Sequence, residues 1–321
     1  NSITIPSMDW YAGNILSVTG EYFGVEKTIE KEFEVFRNQG GASSNYGAGA
    51  GGCAHVGPFS VASQESEPQG IAFSKSGEKM FIMGSYGDDV NEYTLTGAYC
   101  IGTATFVDSF VLGADAEGVY NPQGIAFSKS GMKMFVSDTH GKDVNEYTLT
   151  AAWDVSTASF VDSFSVQSQT GAPTGIAFSK SGEKMFVVEN GGSSHHDWVL
   201  EYTLATAWDV SSASYVDLFS VRGEDRAPQD IAFSKSGEKM FIVGNQWDNV
   251  LEYTLATAWD VSSASFVDSF SVRDQDRGPT GIAFSKSGEK MFITGNQHDK
   301  VYEYTLTAAW DVSSASFVDS F

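Results

Sequence analysis

The sequence predicts an all-β fold, a β-propeller, because it repeats a unit of roughly 50 residues that contains four strand-like segments. The phrase Gly-Ile-Ala-Phe-Ser-Lys-Ser-Gly starts at positions 70, 124, 175 and 281, and the same phrase starts at 230 with Asp in place of Gly. β-Branched and aromatic runs follow in every copy, separated by Gly, Asn, Asp and Ser, as in short strands between turns. No segment has the 3.6-residue period of an amphipathic helix, so a helical solenoid is excluded.

Six four-stranded blades are expected from the repeat boundaries. Five clear copies occupy residues 68–121, 122–172, 173–227, 228–278 and 279–321. Residues 10–67 carry weaker echoes of the same strands, which we interpret as a degenerate first blade. Within it, Gly57-Pro58-Phe59-Ser60-Val61 is similar to the fourth-strand residues 162–166 of a clear copy.

Residues 1–9 are interpreted as an N-terminal strand or arm. The last copy stops at Phe321, where earlier copies continue with Ser-Val. The candidate continuation is Ser2, Ile3, Thr4, Ile5 and Pro6. Three alternatives remain open: the arm closes its own ring, it adds as a strand to a neighbouring molecule, or further repeats follow Phe321 in a longer parent chain.

The composition is that of an acidic globular protein with a sizeable core. The 321 residues are 41% hydrophobic and 13% aromatic, and 41 acidic residues against 19 basic ones give a net charge of −22. Such a charge repels phosphate backbones and anionic lipids, so we expect no nucleic-acid partner. No apolar run reaches the roughly 18 residues of a membrane span, so we expect no membrane insertion.

The string Pro-x-Gly-Ile-Ala-Phe-Ser-x-x-Gly-x-x-Met-Phe-Ile resembles the blades of YVTN/lactonase-like and NHL-like propeller repeats. It differs in having Lys-Ser where those turns usually carry Pro-Asp. The run from Asp143 to Leu149, with Trp153 to Phe164 after it, is more similar to repeats of uncharacterised marine bacterial surface proteins and phage structural proteins. The resemblance implies a propeller in an exported or virion-associated protein but no particular reaction, because propellers host many functions.

Sequence variation among the five copies is concentrated on one predicted face of the ring. The loops between the second and third strands and those between blades lie on this upper face, and both differ from copy to copy. Variable loops on a rigid scaffold often carry recognition, although neutral drift would look the same. The candidate ligand-binding residues in these loops are Tyr86, His140, His195, His196, Trp198, Trp247 and His298.

These loop residues suggest several chemistries. Exposed Trp and Tyr beside Asp, Asn and Gln suit sugar binding, while packing of the rings against their own loops is the alternative. The histidines come from three blades without a close-spaced ligand motif, and the pairs Asp88/Asp89 and Asp274/Asp276 do not match a calcium loop. We therefore expect neither a metal site nor a cofactor.

The opposite, lower face carries the turn between the first and second strands, which reads Ser-Lys-Ser-Gly in every copy. Its lysines predict a basic ring that faces away from the acidic interblade loops, a polarity that favours head-to-tail stacking of rings. The alternative is that these lysines only keep the edge solvated and so discourage strand pairing. Cys53 and Cys100 fall in loops of adjacent predicted blades, so a disulfide is expected, with two free thiols as the alternative.

No catalytic motif stands out, since the chain lacks a Gly-x-Ser-x-Gly elbow, a phosphate-binding loop and a His-Glu-x-x-His pair. We therefore expect a non-enzymatic, extracellular structural or adhesive propeller. Its expected partners are copies of itself, in a surface filament or phage fibre, and surface glycans. A monomeric carbohydrate-binding propeller and a metal-dependent lactonase-like hydrolase are the two alternatives.

Overall fold

The computed structural model describes residues 16–22, 25–31, 53, 57–112, 118–191 and 196–318. The chain divides into two units, residues 1–47 and 48–321. In the first unit, strands β1 (Leu16–Tyr22) and β2 (Val25–Lys31) form an antiparallel hairpin. Within the described residues, no helix has the length and apolar character needed to cross a bilayer.

The second unit contains five antiparallel sheets, each built from the four strands of one clear repeat; the last of them gains a short fifth strand from residues 59–60. Their strands are β4 (Pro68–Phe73), β5 (Lys79–Gly84), β6 (Asp89–Thr94) and β7 (Thr105–Val111) in blade 1; β8 (Pro122–Phe127), β9 (Lys133–Asp138), β10 (Asp143–Leu149) and β11 (Ala158–Ser165) in blade 2; β12 (Pro173–Phe178), β13 (Lys184–Asn190), β14 (Asp197–Leu204) and β15 (Ala213–Ser220) in blade 3; β16 (Pro228–Phe233), β17 (Lys239–Gly244), β18 (Asn249–Leu255) and β19 (Ala264–Ser271) in blade 4; β20 (Pro279–Phe284), β21 (Lys290–Gly295), β22 (Lys300–Leu306) and β23 (Ala315–Phe317) in blade 5. The predicted all-β propeller with four-stranded blades is confirmed.

The ring closes with five blades, so the predicted sixth blade is not confirmed. The first strands of neighbouring blades contact one another all the way round, and β20 of blade 5 packs directly on β4 of blade 1. Across this junction the Thr280 hydroxyl donates to the Pro68 carbonyl at 2.7 Å, and the rings of Phe73 and Phe292 lie 4.7 Å apart. Most of the proposed blade at 10–67 lies outside the described residues.

Part of that segment instead completes blade 5. Strand β3 (Phe59–Ser60) pairs antiparallel with β22, and the Val61 N–H donates to the Asp299 carbonyl. Strand β23 pairs with the other half of β22, so both ends of the ring contribute to its outermost strand. The predicted closing arm, Ser2 to Pro6, lies outside the described residues, and the role proposed for it is filled here by Phe59 to Val61.

Each pair of neighbouring blades is held by a cluster of three aromatic rings. Phe81 of blade 1 packs on Phe127 and Trp153 of blade 2, with ring centroids 4.5 and 6.2 Å away. The equivalent clusters are Phe135, Phe178 and Trp208; Phe186, Phe233 and Trp259; Phe241, Phe284 and Trp310; and Phe292, Phe73 and Tyr99. The repeated tryptophans therefore act as packing anchors between neighbouring blades.

A lysine–glutamate pair fastens each blade to the next. In blade 1 the Lys79 ammonium lies 2.6 Å from the Glu92 carboxylate and donates to the Trp153 carbonyl of blade 2. The second oxygen of Glu92 accepts the Val155 N–H, so the pair binds both ends of one turn of blade 2. The same arrangement joins Lys133 and Glu146 to Trp208 and Val210, Lys184 and Glu201 to Trp259 and Val261, and Lys239 and Glu252 to Trp310 and Val312.

At the closing junction, a disulfide stands beside the corresponding pair. Cys53 and Cys100 are bonded, which confirms the predicted disulfide. Cys100 occupies the position of the aspartates that follow the repeated tryptophans in the other blades. Lys290 pairs with Glu303 and lies 3.4 Å from the Tyr99 carbonyl. The bond therefore ties the chain that precedes β3 to the turn of blade 1 that blade 5 contacts.

The outermost strands carry a β-bulge at the same place in blades 1 to 4. The register shifts opposite the Glu-Tyr pair of each third strand. One valine per blade is left unpaired and about half exposed there: Val107, Val161, Val216 and Val267. A bulge bends an edge strand away from partners, so these edges are poor templates for strand addition.

Candidate functional site

The upper face displays most of the predicted ligand-binding residues, although not as one cluster. Tyr86 is 76% and Trp247 51% exposed, and the exposed ring of His140 contacts Tyr120 edge to face. His196 is exposed and stacks on Trp198, which is half-buried against the core of blade 3. His195 lies outside the described residues. The role of these residues in ligand binding stays a prediction.

A buried carboxylate holds the loop between the second and third strands. Glu65 accepts the Glu67 N–H at 2.6 Å, and Asp225 accepts the N–H groups of Ala227 and Trp247. Both carboxylates are almost fully buried, and burial raises the pKa of each above its usual value. These groups shape the upper face by fixing backbone N–H groups.

In blades 2 and 3 the buried carboxylate that holds these loops comes from the second strand and not from the loop between blades. There Asp138 is the last residue of the second strand in blade 2, and Glu189 is the last residue but one in blade 3; both carboxylates accept loop N–H groups. In the other three blades that strand ends in glycine, at Gly84, Gly244 and Gly295. A Cβ at any of these glycines would collide with the carboxylate of Glu65, Asp225 or Asp276. The buried carboxylate is thus exchanged between two chain segments: the second strand in blades 2 and 3, and the loop between blades elsewhere. Sequence reasoning missed this exchange, although its signal was the alternation of Gly with Asp or Glu near the end of the second strand.

Blade 5 has a polar constellation that the described parts of the other blades lack. Asp276 is 1% exposed, and its Oδ1 accepts the Gly278 N–H at 2.9 Å. Its Oδ2 lies 3.2 Å from Nδ1 of His298 and 3.1 Å from the hydroxyl of Tyr302, which donates to it. The position of Tyr302 is occupied by Asn91, Asn145, Leu200 and Leu251 in the sister blades. His298 was among the predicted ligand residues, whereas Asp276 was considered only as part of a calcium pair that the sequence analysis set aside.

This arrangement fixes the orientation of the imidazole. A neutral His298 that donates Nδ1–H to the buried Asp276 carboxylate keeps Nε2 as an acceptor. The side chain of His298 is 49% exposed, whereas that of Asp276 is 1% exposed. In this orientation Nε2 of His298 faces away from the buried carboxylate, as in other carboxylate–histidine pairs.

Exposed aromatic rings flank the dyad in the ring order. Trp247 occupies the position of His298 in the loop of blade 4, and Tyr86 lies in the loop of blade 1. Blade 5 packs between those two blades, so the three loops are neighbours on the upper face. An indole and a phenol beside a base suit the apolar face of a sugar ring.

The rest of the upper face is strongly acidic. Burial, and then the charge of Glu65, raises the pKa of Asp89 to about 6. Burial also raises the pKa of Asp88, Asp248 and Asp299 above their usual values. Despite this density, no three His, Cys, Asp or Glu side chains in the described ranges are arranged to hold a metal ion.

One further acid, Asp230, lies near the ring axis and was missed as a functional candidate. It stands where the four sister blades have glycine in their innermost strand, which was the signal in the sequence. Its carboxylate accepts the N–H of Ile231 and, across the junction to blade 5, that of Ile282, at 2.8 and 2.9 Å. Burial raises its pKa to about 8. Because its two oxygens accept backbone N–H groups from different blades, Asp230 links blade 4 to blade 5.

Comparison with known proteins gives matches at the level of structure. No family model and no curated protein sequence matches the chain. The periplasmic gluconolactonase PpgL of Pseudomonas aeruginosa is 14% identical with a TM-score of 0.46, over 78% of this chain and 70% of that one. A Bacteroides uniformis protein named as a 6-phosphogluconolactonase is 11% identical with a TM-score of 0.45, over 77% and 68%. A Myceliophteria thermophila β-propeller domain is 10% identical with a TM-score of 0.45, over 75% and 96%.

These matches correct one expectation from the sequence. We expected a non-enzymatic protein, and this is contradicted because similar structures carry the names of lactonases, which are hydrolases. None of the three comes from a marine surface protein or a phage, so that part of the resemblance has no support among them.

Proposed function

We propose that this protein is a hydrolase that opens a sugar lactone, with His298 as general base and Asp276 as the residue that positions it. The observation that carries the proposal is the contact of the buried Asp276 carboxylate with Nδ1 of a half-exposed histidine. A lactone is an ester, and its hydrolysis needs only an activated water and a proton for the leaving oxygen. The metal-dependent form of this alternative has no support in the described residues.

The reaction follows from the tautomer that Asp276 imposes. Nε2 of His298 takes a proton from a water as the water oxygen bonds to the lactone carbonyl carbon. The ring C–O bond then breaks, and the imidazolium returns its proton to the departing ring oxygen. The product is an open-chain hydroxy acid, which releases one proton to solvent near neutral pH. Trp247 and Tyr86 would stack against the sugar ring during these steps.

The test is proton release from glucono-1,5-lactone, measured above the spontaneous rate. We expect His298→Gln to lower kcat by at least about 100-fold, the usual contribution of a general base. His140→Gln is the matched control, because that histidine is also exposed on the upper face but its ring contacts Tyr120, whereas the ring of His298 contacts a carboxylate. Wild-type hydrolysis equal to the buffer rate, or equal losses in both variants, would contradict the proposal.

A second candidate is glycan binding without turnover. It is favoured by the exposure of Tyr86, Tyr120 and Trp247, at 76%, 62% and 51%. Titration with neutral oligosaccharides tests it: quenching of tryptophan fluorescence that is lost in Trp247→Ala, without acid release in the lactone assay, would favour binding alone.

The cellular location and the assembly state of the protein are also proposals. Disulfides persist in exported proteins and are rare in reducing cytosol, so the bond between Cys53 and Cys100 supports export. Self-association in a surface filament or fibre remains a prediction from the sequence. Light scattering of the purified chain tests it, since an appendage subunit forms particles larger than one chain.

A further inference from the structure

The lower face offers a second site that the proposed hydrolase does not use. Two sets of lysines recur in the repeat, and the structure separates them sharply. The lysines that begin the second strands are all ion-paired to a glutamate in the third strand of the same blade. The lysines of the preceding turns are exposed and have no ion pair with any described residue: Lys75, Lys129, Lys180, Lys235 and Lys286.

These exposed lysines surround the axis. Each follows the first strand of its blade, and the first strands are the ones that contact one another around the centre of the ring. The lysine-bearing turns therefore converge on the lower mouth of the ring. Because these turns are rigid, their lysines are already in place before an anion binds, which lowers the entropic cost of binding.

A shallow cavity, wide open to solvent, combines three kinds of group at this mouth. Its volume is about 400 Å³, and it is lined by Lys180, Ser234, Lys235, Ser236 and Trp310, which come from blades 3, 4 and 5. No acidic residue is among those five, even though the whole chain carries a net charge of −22. Trp310 is fixed by packing on Phe241 and Phe284, so its indole is a rigid platform.

We propose that the lower face binds an acidic polysaccharide, with one carboxylate- or sulfate-bearing sugar in this cavity. The two ammonium groups would bind the anionic group, the serine hydroxyls would bond to sugar hydroxyls, and the part of the Trp310 indole that lines the cavity would contact the sugar ring. Equivalent lysine and aromatic positions recur around the mouth, so a polymer would engage several of them and gain avidity over a single sugar.

A polysaccharide fits this face better than a nucleic acid. Duplex DNA carries one negative charge per about 1.7 Å of its axis, and a body with a net charge of −22 repels so dense a polyanion. A chain of sugar acids spaces its charges more widely and adds hydroxyl groups for the serines. The groups of this site all lie on the lower face, away from His298 and Asp276 of the proposed hydrolase.

The experiment measures binding of the full chain to alginate, dextran sulfate, uncharged dextran and single-stranded DNA at low ionic strength. We expect alginate or dextran sulfate to bind and uncharged dextran not to bind, with the stronger of the two identifying carboxylate or sulfate as the preferred anion. Lys180→Gln with Lys235→Gln should weaken this binding by about tenfold, which corresponds to the loss of two exposed ion pairs.

Lys142→Gln with Arg226→Gln is the control, because it removes the same charge from the upper face. Equal weakening by the two double variants would overturn the proposal, since only general charge would then matter. Tighter binding of single-stranded DNA than of either polysaccharide would overturn the choice of ligand. Absence of binding to both acidic polysaccharides would overturn the site itself.

Discussion

Asp230 changes one blade junction through the hydrogen bonds of a single buried side chain. In the four sister blades glycine lets the innermost strands approach closely, whereas here a carboxylate bridges Ile231 of blade 4 and Ile282 of blade 5. Burial raises its pKa to about 8, far above the value of an unfolded aspartate. The native state therefore binds a proton that the unfolded state has already released over this pH range.

This proton predicts that stability falls as pH rises from about 4 to about 8, by up to about 1.4 kcal/mol per pH unit. Asp230→Gly, which restores the residue of the sister blades, should remove that slope. Urea unfolding of both proteins at several pH values between about 5 and 8 measures it. Asp268→Asn, at an exposed carboxylate of an outer strand, should keep the wild-type slope, and parallel curves for wild type and Asp230→Gly would refute the explanation.

His298 illustrates what a residue's own sequence context can predict. Its place in a variable loop predicted an upper-face position, which the structure confirms. Its partner Asp276 precedes it by 22 residues and comes from the loop between blades. The two residues meet because β20 and β21 pair within blade 5, with Pro279 opposite Gly295, so the spacing inside either loop does not reveal the pair.

At the scale of elements, the strands and turns followed from the repeat with little ambiguity. Alternating apolar residues gave the four strands, and Ser-Lys-Ser-Gly gave the turn whose glycine has a positive φ of 72° to 78°. The same glycine lies beneath the ring of Trp153 or its equivalent, where a Cβ would collide. The upper loops could not be predicted, because their carboxylates come from either of two chain segments.

That exchange predicts a compensating pair of mutations in blade 1. Glu65→Thr should cost about 1–3 kcal/mol, because loop N–H groups lose their acceptor. Gly84→Glu should also destabilise, because its side chain would collide with Glu65. Together they recreate the Thr170 and Glu189 pair of blade 3 and should come within about 1 kcal/mol of wild type. Urea unfolding measures the cycle, and additive losses would show that the two segments do not share one space.

For the whole molecule, the sequence predicted six blades, whereas the structure shows a ring of five. The similarity of Phe59-Ser60-Val61 to a fourth strand was recognised correctly, but we assigned it to a blade of its own. In the structure it completes blade 5 by pairing with β22. Both arrangements place the same residues in an outer strand, so only the contact of blade 5 with blade 1 distinguishes five blades from six.

The disulfide should secure this closure. It joins residues 47 positions apart, and cross-links of this kind contribute about 2–4 kcal/mol. Cys53→Ser with Cys100→Ser should lower stability by that amount and speed hydrogen exchange at the Val61 N–H. The equivalent N–H groups of Val166 and Val221, which donate to Lys142 and Asp197, serve as internal references. Uniform acceleration of all three would mean that the bond does not act at the closure.

The most direct test of the account is a crystal structure with the lactam analogue of gluconolactone, which cannot be hydrolysed. It tests the ring and the site together. We expect five blades, β3 paired with β22, and the analogue beside His298 between Trp247 and Tyr86. A sixth blade would contradict the closure, and an analogue bound away from His298 would contradict the proposed hydrolase site.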